Sequence, residues 1–386
     1  MSATASAEHK KLFTPLTLGV RDSPNFKLAR ITLSHRVVMA PLTRCRALNG
    51  DCEHTDFGVE YYSQRASKGG LIIAEATQIT PQGQGYPNTP GIYSQQQIEA
   101  WKKITESVHQ KGGFIFLQLW HVGRQRYAQS VSSSEVGIKN AKSFNWETNE
   151  YVVPETPKSL TIEEIKEIIK QYKQAAMNAK LAGFDGVELH AANGYLVDQF
   201  LQDGVNKRND EYGGSIENRL RFMREAIEAV IEGFDHESHR VGIRLSPSGV
   251  FLEISDSNPN ALFSAAVKAL DSYDLAYIHL VEPRVVGGAL NDNGEAEAQP
   301  VVATRDLKPL TKIPIISAGG FNAQTALQVV EEGVTDMIAF GRYFISNPDL
   351  PERIKRGVEF SKYDRSTFYG SKDVKTGYTD YPFYQF

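Results

Sequence analysis

Three polar side chains within six residues have types and spacing that could do chemistry together. His190, Asn193 and Tyr195 follow a short apolar run at 186–189 that is typical of a buried strand. An imidazole and an amide can hold a substrate oxygen, and a phenol beside them can deliver a proton. Gly194 allows the chain to turn sharply between these side chains. The three residues alone leave an alternative open, in which they only cap the next helix.

Eight apolar runs of strand length recur along the chain, and amphipathic helical patterns separate most of them. One helical pattern begins at Thr161 with a capping box, because Glu164 follows three residues later. Buried strands that alternate with helices in eight similar units predict a closed (β/α)₈ barrel, a TIM barrel, with its chemistry where the strands end. The predicted strands are 37–40, 71–74, 114–119, 186–189, 241–245, 276–280, 313–317 and 336–340, and further helices are predicted at 95–110, 216–232, 260–270 and 322–332.

The segments outside these units are expected to complete a single domain. Residues 1–11 read as a disordered lead-in, and residues 12–386 as one barrel domain. The stretch that ends near Arg36 is expected to close the floor of the barrel as a short hairpin. The long polar segment 123–158 interrupts the third unit, and we expect it to form part of a lid over the barrel mouth. An inert surface loop is the alternative for that segment.

Composition and charge exclude several classes of protein. The chain of 386 residues is 41% hydrophobic and carries a formal charge of −4, which gives no reason to expect nucleic acid or an anionic membrane as a partner. No apolar run approaches the roughly 20 residues that span a bilayer. Cys45 and Cys52 are too few for a disulfide framework or a four-cysteine iron–sulfur cluster. A cytoplasmic protein, monomeric or homodimeric, is the default expectation.

Glycines and a cation follow the last two predicted strands. Gly319 and Gly320 come after the seventh strand, and Gly341 and Arg342 come after the eighth. Exposed backbone N–H groups together with a guanidinium at these positions predict a phosphate-binding site of the kind that barrels use. A tight turn beside a surface arginine is the alternative.

The remaining polar groups of the predicted mouth narrow the choice of ligand. Thr43, Gln118 and Arg244 lie on or just after the first, third and fifth strands. No His-x-His follows the first strand and no carboxylates converge, so a metal site has little support. No Gly-x-Ser-x-Gly elbow is present for a serine hydrolase. The groups that remain suit a flat heterocycle with a phosphate tail, such as flavin mononucleotide (FMN).

Longer motifs, spread over nearly the whole chain, are similar to one known family. They include HRVVMAPLTR, DEYGGSIENR and GRYFISNPDL, of which the last two are long and specific. In these motifs the chain resembles the old yellow enzyme family of flavin-dependent ene reductases, which includes the plant 12-oxophytodienoate reductases. The resemblance implies an FMN enzyme that uses NADPH in a ping-pong cycle. Its expected substrates are small α,β-unsaturated carbonyl compounds, whose C=C bond it reduces, and nitro compounds.

The resemblance also implies roles for residues around the flavin. Thr43 is expected to bond the C4 carbonyl and Gln118 the pyrimidine edge. Arg244 is expected near N1, where it would stabilise the negative charge of the reduced ring. Arg244 could instead pair with a buried carboxylate, and Gln118 could instead hydrogen-bond to polar groups at the strand ends. The other flavin contacts that the resemblance implies are Pro41, Leu42, Ala74, Gly319, Gly320, Gly341 and Arg342.

For the substrate, the resemblance implies two donors and one acid. His190 and Asn193 are expected to donate to the substrate oxygen, while Tyr195 protonates Cα opposite the hydride that flavin N5 delivers to Cβ. A phenol with a pKa near ~10 is protonated at neutral pH, although Tyr195 could also simply pack. The expected pocket wall, for which core or lid packing is the alternative, comprises Tyr86, Trp120, Phe251, Arg284, Phe368 and Tyr369.

Departures from the family pattern refine these expectations. Many members have two histidines where this chain has His190 and Asn193, and both pairs can donate. A thermophilic branch has cysteine at the position of Thr43, so the chain is expected in the other branch. Too few cysteines remain for the cluster of the related dienoyl-CoA reductases. Two rival functions stay open: a flavin barrel that isomerises without net reduction, against which Tyr195 argues, and a flavin binder with a sensing role.

Overall fold

Residues 10–21, 23–47, 51–283, 285–286, 289–290 and 301–386 are described by a computed structural model of the chain. The strands of the described residues are β1 (Leu16–Thr17), β2 (Thr32–Leu33), β3 (Val37–Met39), β4 (Leu71–Gln78), β5 (Phe114–Trp120), β6 (Val131–Ser132), β7 (Ser143–Asn145), β8 (Glu150–Val152), β9 (Lys158–Ser159), β10 (Gly186–Ala191), β11 (Val241–Leu245), β12 (Tyr277–Val281), β13 (Val285–Val286), β14 (Ala289–Leu290), β15 (Ile315–Ala318) and β16 (Met337–Phe340). Eight of them are parallel and close into a barrel, as the sequence predicted, in the order β10-β11-β12-β15-β16-β3-β4-β5.

Helices on the outside of the barrel cover the strands. The α-helices of the described residues are α1 (Asp56–Arg65), α2 (Gln95–His109), α3 (Ile162–Leu181), α4 (Leu196–Leu201), α5 (Ile216–Gly233), α6 (Pro259–Leu270), α7 (Thr304–Leu307), α8 (Ala323–Glu331), α9 (Arg342–Ser346) and α10 (Leu350–Arg356). The predicted capping box is present at the start of α3, where Thr161 and Glu164 satisfy each other's backbone N–H groups. In the part of the chain that the structure describes, every helix is too short or too polar to cross a membrane.

One strand is longer than the sequence indicated, for a local reason. The prediction ended the second barrel strand at residue 74, whereas β4 continues to Gln78. Its pairing with β5 shifts register between Ala74 and Thr77, as at a β-bulge. Side chains of a strand point alternately toward and away from the barrel axis. The extra residue reverses this alternation, so the facing of the last residues of β4 differs from that counted from its start.

The interior of the barrel is filled at its amino end by apolar side chains such as Val38, Ile73 and Ile316. The antiparallel pair β1 and β2 lies against this cluster, to which Leu33 of β2 and Leu18, the residue after β1, belong. The predicted hairpin is therefore confirmed, and it closes the floor of the barrel. Ligand access is left to the opposite, carboxyl end.

The segment 123–158 lies over that carboxyl end. It forms two small sheets, in which β6 pairs with β9 and β7 pairs with β8. Ile138 packs in one cluster with Trp120 and Tyr195, and the Arg124 guanidinium donates to the carbonyls of Val136 (3.0 Å) and Leu252 (2.7 Å). The segment thus covers part of the mouth, and its opening as a lid stays a prediction.

Candidate active site

A cavity of about 580 Å³ opens at the carboxyl end of the barrel strands. Its volume falls in the range of small-molecule and cofactor sites. The predicted residues that line it are Pro41, Leu42, Thr43, Tyr86, Gln118, Trp120, His190, Asn193, Tyr195, Arg244, Phe251, Gly319, Gly320, Gly341, Arg342, Phe368 and Tyr369. Residues far apart in the chain therefore meet in one cavity, as the barrel prediction required.

Of the predicted site residues that the structure describes, Ala74 does not line the cavity. Its side chain is fully buried in the core between strands and helices, and its predicted contact with the bound ring, by backbone or packing, stays a prediction. Ala76 lines the cavity instead, because the register shift after Ala74 changes which side chains face the axis. Arg284 lies outside the described residues.

A tight turn brings the three polar residues of the fourth unit together. His190 is the second-last residue of β10, and Tyr195 directly precedes α4. Asn193 and Gly194 both have positive φ angles, 57° and 76°. A Cβ at Gly194 would lie 2.6 Å from the carbonyl oxygen of Phe251, so a larger residue cannot fit there without a shift. The strained turn thus sets His190, Asn193 and Tyr195 on one side of the cavity.

His190 is held in the form that donates to a ligand. Its Nδ1 accepts from the backbone N–H of Ala192 at 3.3 Å, so the proton of the neutral ring lies on Nε2. Burial, together with the nearby Arg244, lowers the pKa of His190 well below its usual 6.5. The ring is therefore a neutral donor throughout the physiological pH range.

Tyr195 is held in its protonated form. Its hydroxyl lies 3.2 Å from the hydroxyl of Tyr86, and its ring packs edge-on against Trp120 and His190 at 5.0 and 5.1 Å. Burial raises the pKa of Tyr195 well above 10. The phenol therefore keeps its proton until a reacting group takes it.

A buried polar network forms the floor of the cavity. Gln118 Nε2 donates to Glu188 Oε1 at 2.6 Å, and His279 Nδ1 lies 2.9 Å from Glu188 Oε2. Arg244 pairs in register with His190 on one neighbouring strand and with His279 on the other. Glu188 and His279 were not expected at the site, although a glutamate inside an apolar strand run is itself a signal of a buried polar role.

The Arg244 guanidinium has an incomplete set of partners. Its Nε is buried, and among the described residues no acceptor lies within hydrogen-bond reach of it. Burial lowers the pKa of Arg244, and the negative charge of Glu188 opposes that effect. An unsatisfied buried donor of this kind is costly unless a ligand completes it. This group therefore fits the polar edge of a heterocycle that lies in the cavity.

The other end of the cavity has the groups that a phosphate requires. Gly319 and Gly320 follow β15 with positive φ angles of 132° and 62°. Gly341 follows β16, and a Cβ there would lie 3.2 Å from the side chain of Leu42. Arg342 faces the same space rather than open solvent and donates to the Tyr363 hydroxyl at 3.4 Å. The fold is that of a (β/α)₈ barrel whose carboxyl end has the groups of a barrel phosphate site, and its residues fit FMN.

Several further lining residues were not expected from the sequence. Tyr151 reaches the cavity from β8, in the covering segment, and Cys45 lies just past Thr43. Burial raises the pKa of the Cys45 thiol to about 12, so it is a poor nucleophile. The others include Tyr343 on α9, Tyr363 and Arg365. These residues lie outside the barrel strands, so no strand pattern indicated that they line the cavity.

Asp198 on α4 lies behind the active-site turn, which sequence analysis did not indicate. Its Oδ2 accepts from the Gly194 N–H at 2.9 Å, and its Oδ1 accepts from Gln202 at 2.8 Å. The Ser246 hydroxyl also donates to Asp198, at 3.5 Å, and accepts from the Asn193 N–H at 2.7 Å. The carboxyl group thus supports the turn from its buried side, and burial raises its pKa to about 7.

Because of this carboxyl group, stability is expected to fall as pH rises from about 4 to about 7. The folded pKa of Asp198, about 7, lies above the ordinary value of 3.8, so the folded state binds more protons in that window. Stability from this group therefore decreases as pH rises, by on the order of 4 kcal/mol in total. Asp198→Asn cannot ionise and is expected to show a flatter profile. Urea unfolding of both proteins at several pH values measures this, and equal slopes would contradict it.

Comparisons with known proteins show the family of the chain and agree with its fold. The family model described as NADH:flavin oxidoreductase / NADH oxidase matches residues 11–360. The chain is 46% identical to 12-oxophytodienoate reductase 1 of Oryza sativa subsp. japonica over 359 residues, which cover 93% of this chain and 92% of that protein. It is 44% identical to 12-oxophytodienoate reductase 2 of Arabidopsis thaliana over 367 residues, covering 92% of this chain and 94% of that one.

Solved structures give the same result. Morphinone reductase in complex with tetrahydroNAD is 41% identical with a TM-score of 0.85, covering 97% of this chain and 98% of that chain. The old yellow enzyme homologue from Zymomonas mobilis is 38% identical with a TM-score of 0.86, covering 96% and 99%. The chain therefore belongs to the NADH:flavin oxidoreductase / NADH oxidase family and is an oxidoreductase of the old yellow enzyme type. The predicted family and barrel are confirmed.

Proposed function

We propose that the protein reduces the activated C=C bond of α,β-unsaturated carbonyl compounds, with FMN as its tightly bound cofactor and NADPH as reductant. The observation that carries the proposal is one cavity that combines two neutral donors and a protonated phenol with a phosphate site. Nitro compounds have a similar oxygen acceptor and are proposed as further substrates. Relatives named as 12-oxophytodienoate reductases support the assignment to enone chemistry.

The chain's own residues would hold FMN from both ends of the cavity. Gln118 and Arg244 would bind the heterocycle at the cavity floor, and Thr43 would bind it at the wall. The backbone near Gly320 and the side chain of Arg342 would bind the phosphate. When bound, FMN supplies the hydride chemistry that no side chain of the protein can perform.

The active-site turn would activate the substrate and complete the reduction. His190 Nε2–H and the Asn193 amide would donate to the carbonyl oxygen, which draws electron density from the double bond. Tyr195 would give its hydroxyl proton to Cα. Both histidine and tyrosine hold their protons at neutral pH, because burial disfavours the charged form of each side chain. Neither group needs to titrate before the reaction begins.

The reductant and the substrate are proposed to use the same cavity in turn. In the part of the chain that the structure describes, no separate nucleotide-binding fold accompanies the barrel. A ping-pong cycle follows, in which the oxidised nucleotide leaves before the enone enters. Morphinone reductase is a relative seen with tetrahydroNAD, so a test of the proposed preference for NADPH must include NADH.

An anaerobic absorbance experiment tests the proposal. The purified protein is expected to show a flavin band near ~450 nm that bleaches with NADPH and returns with 2-cyclohexenone. NADH in place of NADPH should bleach the band more slowly. A band that bleaches but does not return with any enone would contradict ene reduction and favour a sensing or isomerising role. No band after reconstitution with FMN would refute the whole proposal.

A further inference from the structure

We propose that Glu188 is a positioning residue for the cofactor, because it sets the direction of the Gln118 amide and balances the charge of Arg244. The inference rests on the proposed FMN site but not on any particular substrate. Glu188 lies on β10, in the same strand as His190, and its side chain is completely buried. It does not line the cavity, so it acts through its neighbours.

Both carboxylate oxygens of Glu188 are occupied by groups from other strands. Oε1 accepts from Gln118 on β5, and Oε2 is bonded to His279 on β12. Burial lowers the pKa of His279, so the neutral ring donates from Nδ1. Two donors on opposite sides thus fix the carboxylate in one position inside the barrel.

The carboxylate decides which way the Gln118 amide faces. A carboxylate can only accept, so the NH₂ end of the amide must face Glu188. The amide oxygen and the second N–H are then left for the cavity that Gln118 lines. That pattern of one acceptor beside one donor matches the pyrimidine edge of a flavin, which offers an N–H beside a carbonyl. A neutral amide at position 188 can both donate and accept, so Gln118 could form a hydrogen bond with it in either orientation.

Glu188 also supplies the negative charge nearest to the buried arginine. Arg244 lies between His190 and His279 in the register of the barrel. Both of those histidines have lowered pKa values and stay neutral, so Arg244 is the cation that the Glu188 charge balances there. Loss of the carboxylate would leave the Arg244 charge unopposed in a medium of low dielectric. The midpoint potential of the bound flavin should then become more positive.

The substitution Glu188→Gln tests both effects without an activity assay. The variant is expected to bind FMN with a midpoint potential more positive than that of the wild type. In a double-mutant cycle, Gln118→Ala should weaken FMN binding by about tenfold in the wild type and by twofold or less in the Glu188→Gln background. Fluorescence quenching of FMN and anaerobic redox titration provide the two measurements.

Glu237→Gln is the matched control. Glu237 is also a buried carboxylate, but it accepts from the backbone N–H groups of Lys27 and Leu28, remote from the cavity. It should change neither the potential nor the FMN affinity. If Glu188→Gln does not accumulate as folded protein, His279→Leu serves as the second variant. It removes the second donor to the carboxylate, so Gln118→Ala should likewise weaken FMN binding by less than tenfold in that background.

An unchanged potential together with an unchanged tenfold effect of Gln118→Ala would overturn the inference. That result is separable from failure of the proposed function. A wild-type protein that binds FMN but reduces no enone would refute the proposed function and leave the inference intact. A wild-type protein that does not bind FMN would refute both.

Discussion

Tyr195→Phe is expected to slow enone turnover by about 10²–10⁴-fold while leaving reduction by NADPH nearly unchanged. The phenol is the one group of the active-site turn that can release a proton, since His190 and Asn193 act as neutral donors. Burial raises the pKa of Tyr195 well above 10, so the group is fully protonated at neutral pH. Phenylalanine keeps the ring contacts with Trp120 and His190 and removes the acidic hydroxyl alone.

Stopped-flow measurement of the two half-reactions separates these effects. Tyr172→Phe is a suitable control, because the Tyr172 hydroxyl is buried on α3 with no partner among the described residues and is not part of the cavity. That variant should match the wild type in both half-reactions. Quinone acceptors take no proton on carbon and should remain good substrates of Tyr195→Phe. Equal losses in both half-reactions would show that Tyr195 has a structural role instead.

Arg244→Met is expected to have the second large effect. It removes the cation of the cavity floor and leaves the buried carboxylate of Glu188 without a compensating charge, which is destabilising. The methionine side chain has similar length but no donor to complete the contacts of a bound heterocycle. We expect a protein that loses FMN during purification and, when reconstituted, is reduced by NADPH about 10²–10³-fold more slowly.

The FMN dissociation constant and the rate of anaerobic reduction provide the measurements. Arg244→Lys is the matched variant, because it keeps a positive charge but lacks the planar fork of donors. It should bind FMN with intermediate affinity. If Arg244→Met keeps both the affinity and the reduction rate of the wild type, Arg244 serves only the packing of the barrel floor.

The barrel could be predicted from sequence because its strands have a strong local signal. Each is a short run of apolar residues buried on both faces, and the helices between them have one apolar stripe and clear caps such as that at Thr161. The end of β4 was the exception. A bulge depends on the pairing partner β5 and not on the strand itself, so no local pattern indicated that the Ala76 side chain lines the cavity.

For the active site, the amino-acid sequence alone determined which side chains gather at the mouth. Residues that follow barrel strands must meet at one end, so His190, Asn193, Tyr195 and Arg244 could be placed there from their positions along the chain. The motifs that carry the family resemblance pointed to the same residues, and the comparisons confirmed the family.

Only the tertiary structure decided the states and partners of those side chains. The proton of His190 lies on Nε2 because a backbone N–H reaches Nδ1, and Tyr195 stays protonated because the fold buries it. Glu188 meets Gln118 and His279 across three strands that are distant in the chain. Burial, register and hydrogen-bond geometry arise from contacts between distant segments, and no local pattern of residues encodes them.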